Sequence, residues 1–242
     1  MSKKVIIVGS TSGMGKRIAE LYAENGWRVG ITGRRQDLLD ELKQKYPGLV
    51  ESECFDITKN ENISKLQSLI QKLGGLDVLL ISAGGGETSN DLSWELDKWM
   101  VDINVNAFIE IANWAFNYFM NQGYGQMAVI SSIASYRGNS QAPAYSASKA
   151  FQSIYFEGLA LKARKARLSK KNITVTCIEP GFVDTKMAKS NKLFWLVPVD
   201  KAARQIILGI ERKKRKVFIS RRWKIIAWIL KLLPYSIYKR FG

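Results

Sequence analysis

A tyrosine and a lysine four positions apart, Tyr145 and Lys149 in AYSASK, are the residues of this sequence best suited to proton transfer. The 242 residues include no histidine, which excludes Ser-His-Asp triads, Cys-His pairs and imidazole-based metal sites, and we predict no metal site. A free phenol has a pKa of about 10. Residues four apart share a helix face, so the lysine would favour the phenolate. The pair indicates acid-base catalysis by Tyr145; a chance pair on a helix is the alternative.

Short apolar runs alternate with longer amphipathic segments along the chain. The runs are rich in β-branched residues, which is typical of strands buried on both faces. We predict strands at 5–8, 29–32, 50–55, 78–81, 127–130, 173–178 and 217–219, and helices near 13–25, 35–46, 60–73, 98–121, 144–168 and 199–213. This alternation predicts an α/β fold, a doubly wound (Rossmann) parallel sheet of about seven strands. We assign residues 1–220 to this single domain.

A glycine-rich turn follows the first predicted strand. The segment GSTSGMG, from Gly9 to Gly15, lies between that strand and a predicted helix. Glycines let the backbone approach a pyrophosphate closely, while the amides of the helix N-terminus face its charge. The spacing differs from the common GxGxxG pattern, so the position of the turn after the first strand carries the interpretation. The turn therefore predicts binding of a dinucleotide.

The end of the second predicted strand indicates which dinucleotide binds. In a dinucleotide-binding fold an acidic residue there binds the ribose 2′-hydroxyl of NAD, whereas an arginine accommodates the 2′-phosphate of NADP. Here Gly33 occupies the acidic position, and Arg34 and Arg35 follow it. The sequence therefore predicts NADP(H) as the cofactor. A solvated arginine pair at the start of a helix is the alternative.

Further motifs occur in an order that identifies a family. Asn104 lies in VDINVN, and Ser132 in VISSIAS stands 13 positions before Tyr145. The segment EPGFVDT, residues 179–185, comes later. Together with GSTSGMG and YSASK, these motifs resemble the short-chain dehydrogenase/reductase family over about residues 3–220. Each motif alone is a weak signal, but the set in this order is specific.

The resemblance implies a role for each matching residue. Tyr145 would donate or accept the proton at the substrate oxygen, and Ser132 would polarise that oxygen. Lys149 would hold the nicotinamide ribose and lower the pKa of the tyrosine, and Asn104 would anchor a water molecule of a proton relay. The predicted cofactor contacts are Gly9, Thr11, Ser12, Gly13, Met14, Gly15, Arg34, Arg35, Asp56, Ile57, Ala83, Gly84, Tyr145, Lys149, Pro180, Gly181, Val183 and Thr185.

The resemblance also implies the reaction, an NADP(H)-dependent interconversion of a ketone and a secondary alcohol by hydride transfer. Because cells keep NADPH reduced, we favour reduction of the carbonyl. The apolar run from Leu193 to Val197 predicts a wall for a hydrophobic, lipid-like substrate or a contact surface. A short helix in the protein's own core is the alternative for this run. The competing function is a non-catalytic NADP-binding sensor or scaffold.

Assembly and location follow from the same resemblance and from the cysteines. Members of the family form dimers or tetramers, and we expect a homodimer or homotetramer assembled through the helices near 98–121 and 144–168. Cys54 and Cys177 belong to no CxxC motif and no disulfide framework. We therefore expect a reducing, cytoplasmic location.

Basic residues are concentrated near the C-terminus. The net charge is +16, and residues 201–242 hold 13 Lys and Arg against the single acid Glu211. This asymmetry indicates an anionic partner, and we favour a membrane surface over nucleic acid because no nucleic-acid module is recognisable. We predict a basic amphipathic helical extension over residues 221–242, which Pro234 ends or kinks.

Two faces are predicted for this C-terminal extension. The basic-aromatic face comprises Lys224, Trp228, Lys231 and Tyr235, and the apolar face comprises Ile225, Ile229, Leu232 and Leu233. Such an element suits peripheral contact with an anionic membrane. Packing on its own domain or on another subunit is the alternative. No segment reaches the length of a membrane-spanning helix.

Overall fold

A seven-stranded parallel β-sheet lies at the centre of the computed structural model, which describes residues 2–88, 91–185 and 194–240. Its order is β3-β2-β1-β4-β5-β6-β7, and all neighbouring strands are parallel. The strands are β1 (Lys4–Val8), β2 (Arg28–Gly33), β3 (Val50–Cys54), β4 (Val78–Ile81), β5 (Tyr124–Ile130), β6 (Asn172–Pro180) and β7 (Lys216–Ile219). The predicted single-domain, doubly wound α/β fold is confirmed.

Helices cover both faces of the sheet. In the described part of the chain they are α1 (Gly13–Glu24), α2 (Gln36–Lys45), α3 (Asn62–Leu73), α4 (Trp94–Val101), α5 (Phe108–Gln122), α6 (Pro143–Ala166), α7 (Val199–Glu211), α8 (Arg221–Leu232) and α9 (Tyr235–Tyr238). Helices α1, α2 and α7 pack on one face of the sheet, and α3, α5 and α6 pack on the other. None of these helices is long and apolar enough to cross a membrane.

Two apolar layers, one on each side of the sheet, form the core. Successive residues of a strand point to opposite faces, so Ile7 joins the layer with α1 and α7, whereas Ile6 joins the layer with α3, α5 and α6. Both side chains are completely buried. Burying such a side chain stabilises the fold by about 1.5 to 3 kcal/mol. This double burial explains why the strands read as continuous apolar runs.

Local signals set the starts of the helices that carry the site. Helix α6 begins with Pro143, whose fixed φ suits the first helical position and whose missing N–H is not needed there. Helix α4 begins after Ser93, whose hydroxyl accepts a hydrogen bond from the main-chain N–H of Leu96. The proline fixes the start of the helix on which Tyr145 and Lys149 lie.

The region predicted as one helix over 98–121 has three parts. Helix α4 starts earlier, at Trp94, and a π-helical turn over Asp102–Ala107 separates it from α5. A π turn inserts one extra residue into a helix and changes the direction of the side chains. Sequence periodicity does not reveal such an insertion. Strand β5 also begins three residues before its predicted start at 127, and β6 runs to Pro180 rather than to 178.

The C-terminal segment forms two helices that follow β7 directly. Helix α8 ends at Leu232, and Pro234 then precedes the short helix α9, so the predicted break is confirmed. Trp223 and Ala227 of α8 are buried against Ile133. The segment therefore packs on its own domain through one face. The boundary at residue 220 stays a prediction.

Candidate active site

The predicted site residues lie along the carboxyl edge of the sheet. The loops that follow β1, β2, β3, β4, β5 and β6 all emerge there, because the strands are parallel. The strand order reverses between β1 and β4, and ligands of open α/β sheets bind at such a switch point. The sheet therefore brings together motifs that lie more than 100 residues apart in sequence, such as Gly9 and Tyr145.

The glycine turn after β1 is packed too closely to accept side chains. Gly9 has a φ of +89°, and a Cβ there would lie 2.6 Å from the main-chain N of Ala83. A Cβ on Gly15 would lie 2.0 Å from the carbonyl oxygen of Gly9. The turn therefore brings bare backbone and the N-terminus of α1 to the switch point, which is the cradle that a pyrophosphate needs.

The loop after β6 closes on this turn. A Cβ on Gly13 would lie 3.5 Å from Cγ2 of Thr185, so the two predicted contact residues face each other. Between them a cavity of about 410 Å³ is lined by residues that include Ser12, Lys16 and Asp184. Val183 forms an isolated parallel β-bridge with Val197. The predicted residues of the two loops therefore come together.

The end of β2 excludes a side chain at the position where NAD-binding folds carry an acid. A Cβ on Gly33 would lie 2.4 Å from Cγ2 of Thr11. Arg35 donates hydrogen bonds from Nη2 and Nε to Oγ1 of Thr11, at 2.6 and 3.2 Å. Arg34 lies 3.6 Å from the carboxylate of Asp56 and is otherwise exposed. The two arginines and Thr11 form a basic, hydroxyl-bearing corner without a carboxylate at residue 33.

Asp56 is fixed by its own loop after β3. Its Oδ1 accepts hydrogen bonds from the main-chain N–H and the hydroxyl of Thr58, at 2.9 and 2.8 Å. Burial alone would raise the pKa of Asp56, but the hydrogen bonds from Thr58 and the charge of Arg34 outweigh it and hold the pKa below its usual value. The neighbouring Ile57 packs partly into the layer of α3. This carboxylate is therefore ionised and rigidly held.

Asn104 lies in the π turn and is completely buried. Its side chain binds the main chain of Gly85 in both directions: Oδ1 accepts from the N–H at 3.0 Å and Nδ2 donates to the carbonyl at 2.7 Å. The same Nδ2 donates to the hydroxyl of Ser148 at 3.0 Å. The carbonyl of Asn104 accepts from Nε2 of Gln152 at 2.9 Å. Asn104 therefore joins the loop after β4 to α6.

Lys149 is buried with few partners. Its Nζ donates to the carbonyl of Ile130 and to Oε1 of Gln152, both at 3.0 Å. Loss of hydration lowers the pKa of this ammonium to about 8. A Cβ on Gly84 would lie 3.2 Å from Nζ, so the predicted contact residue after β4 lies against the lysine.

Tyr145 lies one helical turn before Lys149, and Nζ of the lysine is 5.9 Å from the centre of the phenol ring. Gly86 packs against the ring, because a Cβ there would lie 2.7 Å from Cε2. Burial raises the pKa of Tyr145, and the hydroxyl of Ser132 opposes this rise. In the protein chain alone the pKa is therefore not lowered, contrary to the expectation for Lys149, because loss of hydration outweighs the other influences.

Comparison with known proteins gives the same family as the motifs. A family model described as short chain dehydrogenase matches residues 3–193. The chain belongs to this family. An uncharacterized oxidoreductase of Myxococcus xanthus is 29% identical over 244 residues, which are 98% of this chain and 94% of the relative. An uncharacterized oxidoreductase of Staphylococcus aureus is 32% identical over 187 residues, which are 76% and 79% of the two chains. The protein is therefore an oxidoreductase of the short-chain dehydrogenase family.

Solved structures agree with the fold of this dehydrogenase. ElxO with NADP bound has a TM-score of 0.78 at 20% identity, over 90% of this chain and 97% of that chain. A 3-ketoacyl-(acyl-carrier-protein) reductase from Brucella melitensis complexed with NADH has a TM-score of 0.79 at 18% identity, over 90% and 96%. These two structures hold different cofactors, so the likeness establishes the fold and leaves the cofactor to the residues of this chain.

A cavity of about 600 Å³ lies beside Tyr145 and Ser132. Its other walls come from the loops after β4, β5 and β6 and from the C-terminal segment, which contributes Trp223, Leu230 and Tyr238. The indole of Trp223 lies flat against the backbone, since a Cβ on Gly181 would be 2.0 Å from Cε2. The sequence favoured a membrane surface for this segment, with packing on its own domain or another subunit as the alternative, and did not predict that the segment lines a cavity.

Arg137 holds the C-terminal segment to the cavity. Its guanidinium donates to the carbonyl of Leu230 at 2.6 Å and also to the carbonyl of Leu233. It lies over the ring of Tyr238 at 5.5 Å, and the hydroxyl of that tyrosine donates to the carbonyl of Gly138 at 2.6 Å. These contacts satisfy carbonyl groups at the end of α8, which have no partner within the helix.

The apolar run after β6 is divided between core and surface. Phe194 and Phe182 each lie 5.2 Å from the ring of Trp223, and Trp195 lies 6.1 Å from it. Val197 is buried, whereas Phe194 and Trp195 remain partly exposed. Leu193, the first residue of the predicted run, lies outside the described residues. The described part of the run is an aromatic cluster around α8 rather than a helix of the core.

A buried ion pair lies behind the site and was also missed. Glu179, at the end of β6, is completely buried and lies 2.9 Å from Nζ of Lys216. Its Oε1 accepts from the hydroxyl of Ser153 at 3.1 Å, which lies 2.9 Å from the hydroxyl of Ser131. Ser131 in turn donates to the main-chain carbonyl of Lys149 at 2.9 Å. The one available signal was the acid at position 179, directly after the predicted strand 173–178.

Proposed function

We propose that this dehydrogenase interconverts a ketone and a secondary alcohol with NADP(H), using Tyr145 as the general acid and base. The observation that carries this proposal is that Tyr145, Lys149 and Asn104 converge on one short loop, Gly84 to Gly86, at the edge of a cavity. A partly buried phenol beside a buried amine, at the edge of a cavity, suits proton transfer to a bound ligand. NADP(H), when bound, supplies or accepts the hydride.

Four residues around this loop would have different roles in the reaction. Tyr145 gives its phenolic proton to the carbonyl oxygen in reduction and takes it back in oxidation. Ser132, on the same cavity wall, donates a hydrogen bond to that oxygen. Lys149 binds the nicotinamide ribose and, when protonated, stabilises the phenolate. Asn104 fixes the loop after β4, and its proposed relay water stays a prediction.

A preference for NADP(H) over NAD(H) is part of the proposal. The clash of any side chain at Gly33 with Thr11 excludes the carboxylate that would bind a 2′-hydroxyl. Arg35, on Thr11, and the exposed Arg34 supply positive charge for a 2′-phosphate. The crowded backbone at Gly9 and Gly15 fits the pyrophosphate. These contacts belong to this chain and do not depend on its structural neighbours.

The lining of the cavity suits a hydrophobic substrate that carries a second polar atom besides the ketone oxygen. Ile133, Phe182 and Leu230 give it apolar walls. Two buried polar atoms on its lining, the hydroxyl of Ser146 and the indole N–H of Trp223, have no hydrogen-bond partner among the described residues. A buried polar group without a partner costs free energy that a ligand oxygen can recover. We therefore propose a lipid-like ketone with a further oxygen, such as a ketone bearing an ester or amide.

Substitution of Tyr145 by Phe tests the catalytic proposal. Loss of general acid-base catalysis is expected to reduce kcat by about 10²- to 10⁴-fold. The affinity for NADPH should stay largely intact because the ring is kept. The assay uses a panel of hydrophobic ketones, with and without a second oxygen, and follows NADPH oxidation. NADH replaces NADPH in a parallel series.

Tyr155→Phe is the matched control, because Tyr155 lies on the same helix with its ring stacked on Phe151. This variant should keep the activity of the wild type. Equal kcat values for Tyr145→Phe and wild type would refute the assigned role. An NADPH-binding protein that turns over no ketone of the panel would instead favour the sensor or scaffold function.

The proposed assembly is a homodimer or homotetramer in which α5 and α6 are buried between subunits. Ile154 and Leu161 of α6 are seven positions apart, on one face of the helix, and both are exposed in the single chain. Exposed apolar side chains in register suit a contact between equal subunits. Analytical ultracentrifugation of the wild type is the test, and a monomer at all concentrations would contradict it.

A further inference from the structure

Helix α8 has two apolar rows, and only one of them is covered. The inner row is Trp223, Ala227 and Leu230; Trp223 and Ala227 are buried, and Trp223 and Leu230 line the cavity beside Tyr145. The outer row is Ile225, Ile229 and Leu232, whose exposed fractions are 63%, 50% and 72%. Both rows follow helical spacing, so the outer row forms one continuous stripe. Within the described residues, the fold therefore leaves at least half of each of these side chains exposed.

Positive charge surrounds the outer row. Residues 212–242 contain 11 Lys and Arg and no Asp or Glu. Trp228 is 62% exposed, and Lys224 and Lys231 lie on the same helix face. An indole between lysines is typical of helices that lie at the level of lipid headgroups.

A groove beside α8 extends this basic surface. Its volume is about 1270 Å³, and it lies between α7, β7 and α8. Apolar side chains on its lining include Trp195, Leu196 and Leu232. The described acidic residue on its lining is Glu157, which lies 3.8 Å from Arg215. The cations on the lining are Lys201, Arg212, Lys214, Arg215, Lys216, Arg221, Arg222, Lys224 and Lys231.

We propose that the outer row of α8, with the basic groove beside it, docks on an anionic lipid bilayer. Apolar side chains at the centre and cations around them match the acyl chains and the headgroups of such a bilayer. The same helix forms a wall of the cavity, so docking brings that wall to the membrane, where a lipid-like substrate is concentrated. The last step rests on the proposed function, whereas the docking itself does not.

Other occupants match this surface less well. A second copy of the chain would bring 11 more cations against those of the first, and like charges repel across an interface. Nucleic acid would pair with the cations but would leave Ile225, Ile229 and Leu232 exposed to water. The bilayer is the partner that satisfies both the charge and the apolar row.

Flotation of the full-length protein with vesicles tests the proposal. The vesicles contain phosphatidylcholine alone or phosphatidylcholine with phosphatidylglycerol, at about 0.1 M and about 1 M salt. We expect the wild type to float with the anionic vesicles and to float less in high salt. Leu232→Glu should reduce the bound fraction by about tenfold or more, because it removes an inserted apolar side chain and adds a negative charge.

Leu168→Glu is the matched control. Leu168 is 89% exposed and lies in the short 3₁₀ turn Arg167–Ser169 that follows α6. It also has basic neighbours, Arg167 and Lys170. The variant carries the same substitution and the same change of charge, and it should float like the wild type. Binding of NADPH verifies the sheet and its loops in both variants, and equal circular dichroism with equal thermal unfolding midpoints verifies that α8 is folded. Neither flotation nor NADPH binding requires turnover, so failure of the docking proposal is distinguishable from failure of the proposed reaction.

Three outcomes would overturn the proposal. The first is a wild type that does not float, or a Leu232→Glu variant that floats as well as Leu168→Glu. The second is dissociation of an oligomer by Leu232→Glu without vesicles, which would assign the row to a second copy. The third is absence of flotation together with tight binding of a short RNA duplex, which would assign the basic surface to nucleic acid.

Discussion

The two halves of the carboxyl edge are built in different ways. The cofactor half uses close backbone approach, with contacts such as those of Gly9 with Ala83 and of Gly33 with Thr11, all within the first 83 residues. The substrate half uses large side chains that arrive from far away in sequence, such as Trp223 of α8 against Gly181. A cradle for a fixed ligand such as a pyrophosphate needs close backbone approach, whereas a pocket is shaped by the side chains that surround it.

The two halves should differ in local stability. The cofactor half is built on loops that leave the central strands, and its contacts of Gly9 with Ala83 and of Gly33 with Thr11 involve no residue after β7. The substrate half depends on a terminal helix that is held by the ring of Trp223 and by the hydrogen bonds from Arg137 to its last carbonyls. Terminal segments with few tertiary contacts unfold locally at low cost. The substrate pocket is therefore the part of the site that should respond most to substitutions in α8.

The largest expected effect is that of Trp223→Ala on the substrate half. Trp223 is 3% exposed and lies 5.2 Å from the rings of both Phe182 and Phe194. Its removal leaves a cavity in the aromatic cluster and should lower the free energy of unfolding by about 3 to 5 kcal/mol. Thermal and denaturant unfolding without vesicles measure the loss, and the KM for the ketone should rise more than the Kd for NADPH.

Trp228→Ala, on the exposed face of the same helix, is the control for this loss. Because this indole is 62% exposed, its removal should change stability by only about 0.5 kcal/mol. Equal losses for the two variants would show that α8 does not distinguish an inner from an outer row. A larger effect of Trp223→Ala on NADPH binding than on KM would contradict the division into two halves.

Gly33→Asp should break the cofactor half without converting it to NAD binding. The new Cβ would lie 2.4 Å from Cγ2 of Thr11, and the displaced threonine is the partner of Arg35. Overpacking of this kind lowers the free energy of unfolding by about 1 to 3 kcal/mol. Displacement of Arg35 and a new carboxylate near the 2′-phosphate should also weaken NADPH binding by about 5- to 150-fold. Isothermal titration with NADPH and NADH measures both affinities, and the KM for the ketone should not change.

A double variant isolates the cause of that loss. Thr11→Ala combined with Gly33→Asp removes the clashing methyl group, because the Cβ at residue 33 would then be 3.4 Å from the Cβ at residue 11. The double variant should bind NADH better than Gly33→Asp alone. If Gly33→Asp alone already binds NADH tightly, the contact with Thr11 does not control the choice of cofactor.

The smallest expected effect is a pH dependence of the free energy of unfolding that is due to Lys149. Burial lowers the pKa of Lys149 from 10.5 to about 8. Between these pH values the unfolded chain keeps the proton that the folded chain loses, so stability rises with pH there. The free energy of unfolding of the cofactor-free wild type, relative to Lys149→Met, should therefore rise by about 1 kcal/mol from pH 8 to pH 9.

Two other groups, Tyr145 and Cys177, change the free energy of unfolding with pH in the opposite direction. Their contributions must be separated from that of Lys149. Burial raises the pKa of Tyr145, and it raises the pKa of Cys177 to about 12, so both destabilise the fold as alkaline pH rises. Both are present in the wild type and in Lys149→Met, and their contributions largely cancel in the difference. Lys165→Met, an exposed position on α6, is the matched control. A difference that does not change with pH would mean that Lys149 is not desolvated.

Much of the fold could be predicted because the signals are local. The apolar runs and glycine turns identified all seven strands and the order of the motifs. The π turn around Asn104 could not be predicted, because one inserted residue leaves the hydrophobic periodicity nearly unchanged. The pKa of Tyr145 also could not be predicted, because it depends on loss of hydration in the folded chain and not on the spacing to Lys149.

Residue types and their spacing were enough to predict the family, the order of the motifs along the chain and the residues that lie at the carboxyl edge of the sheet. These features depend on residue types at fixed separations in the sequence. In a helix or a strand, a fixed separation places two residues close together. The face of α8 that packs inward became clear only from the folded chain. The row that packs inward comprises Trp223, Ala227 and Leu230. The row of Ile225, Ile229 and Leu232 stays exposed, although it is also apolar and has the same helical spacing. The physical reason is complementarity: a flat indole fits against the bare backbone of Gly181, and periodicity carries no information about that surface.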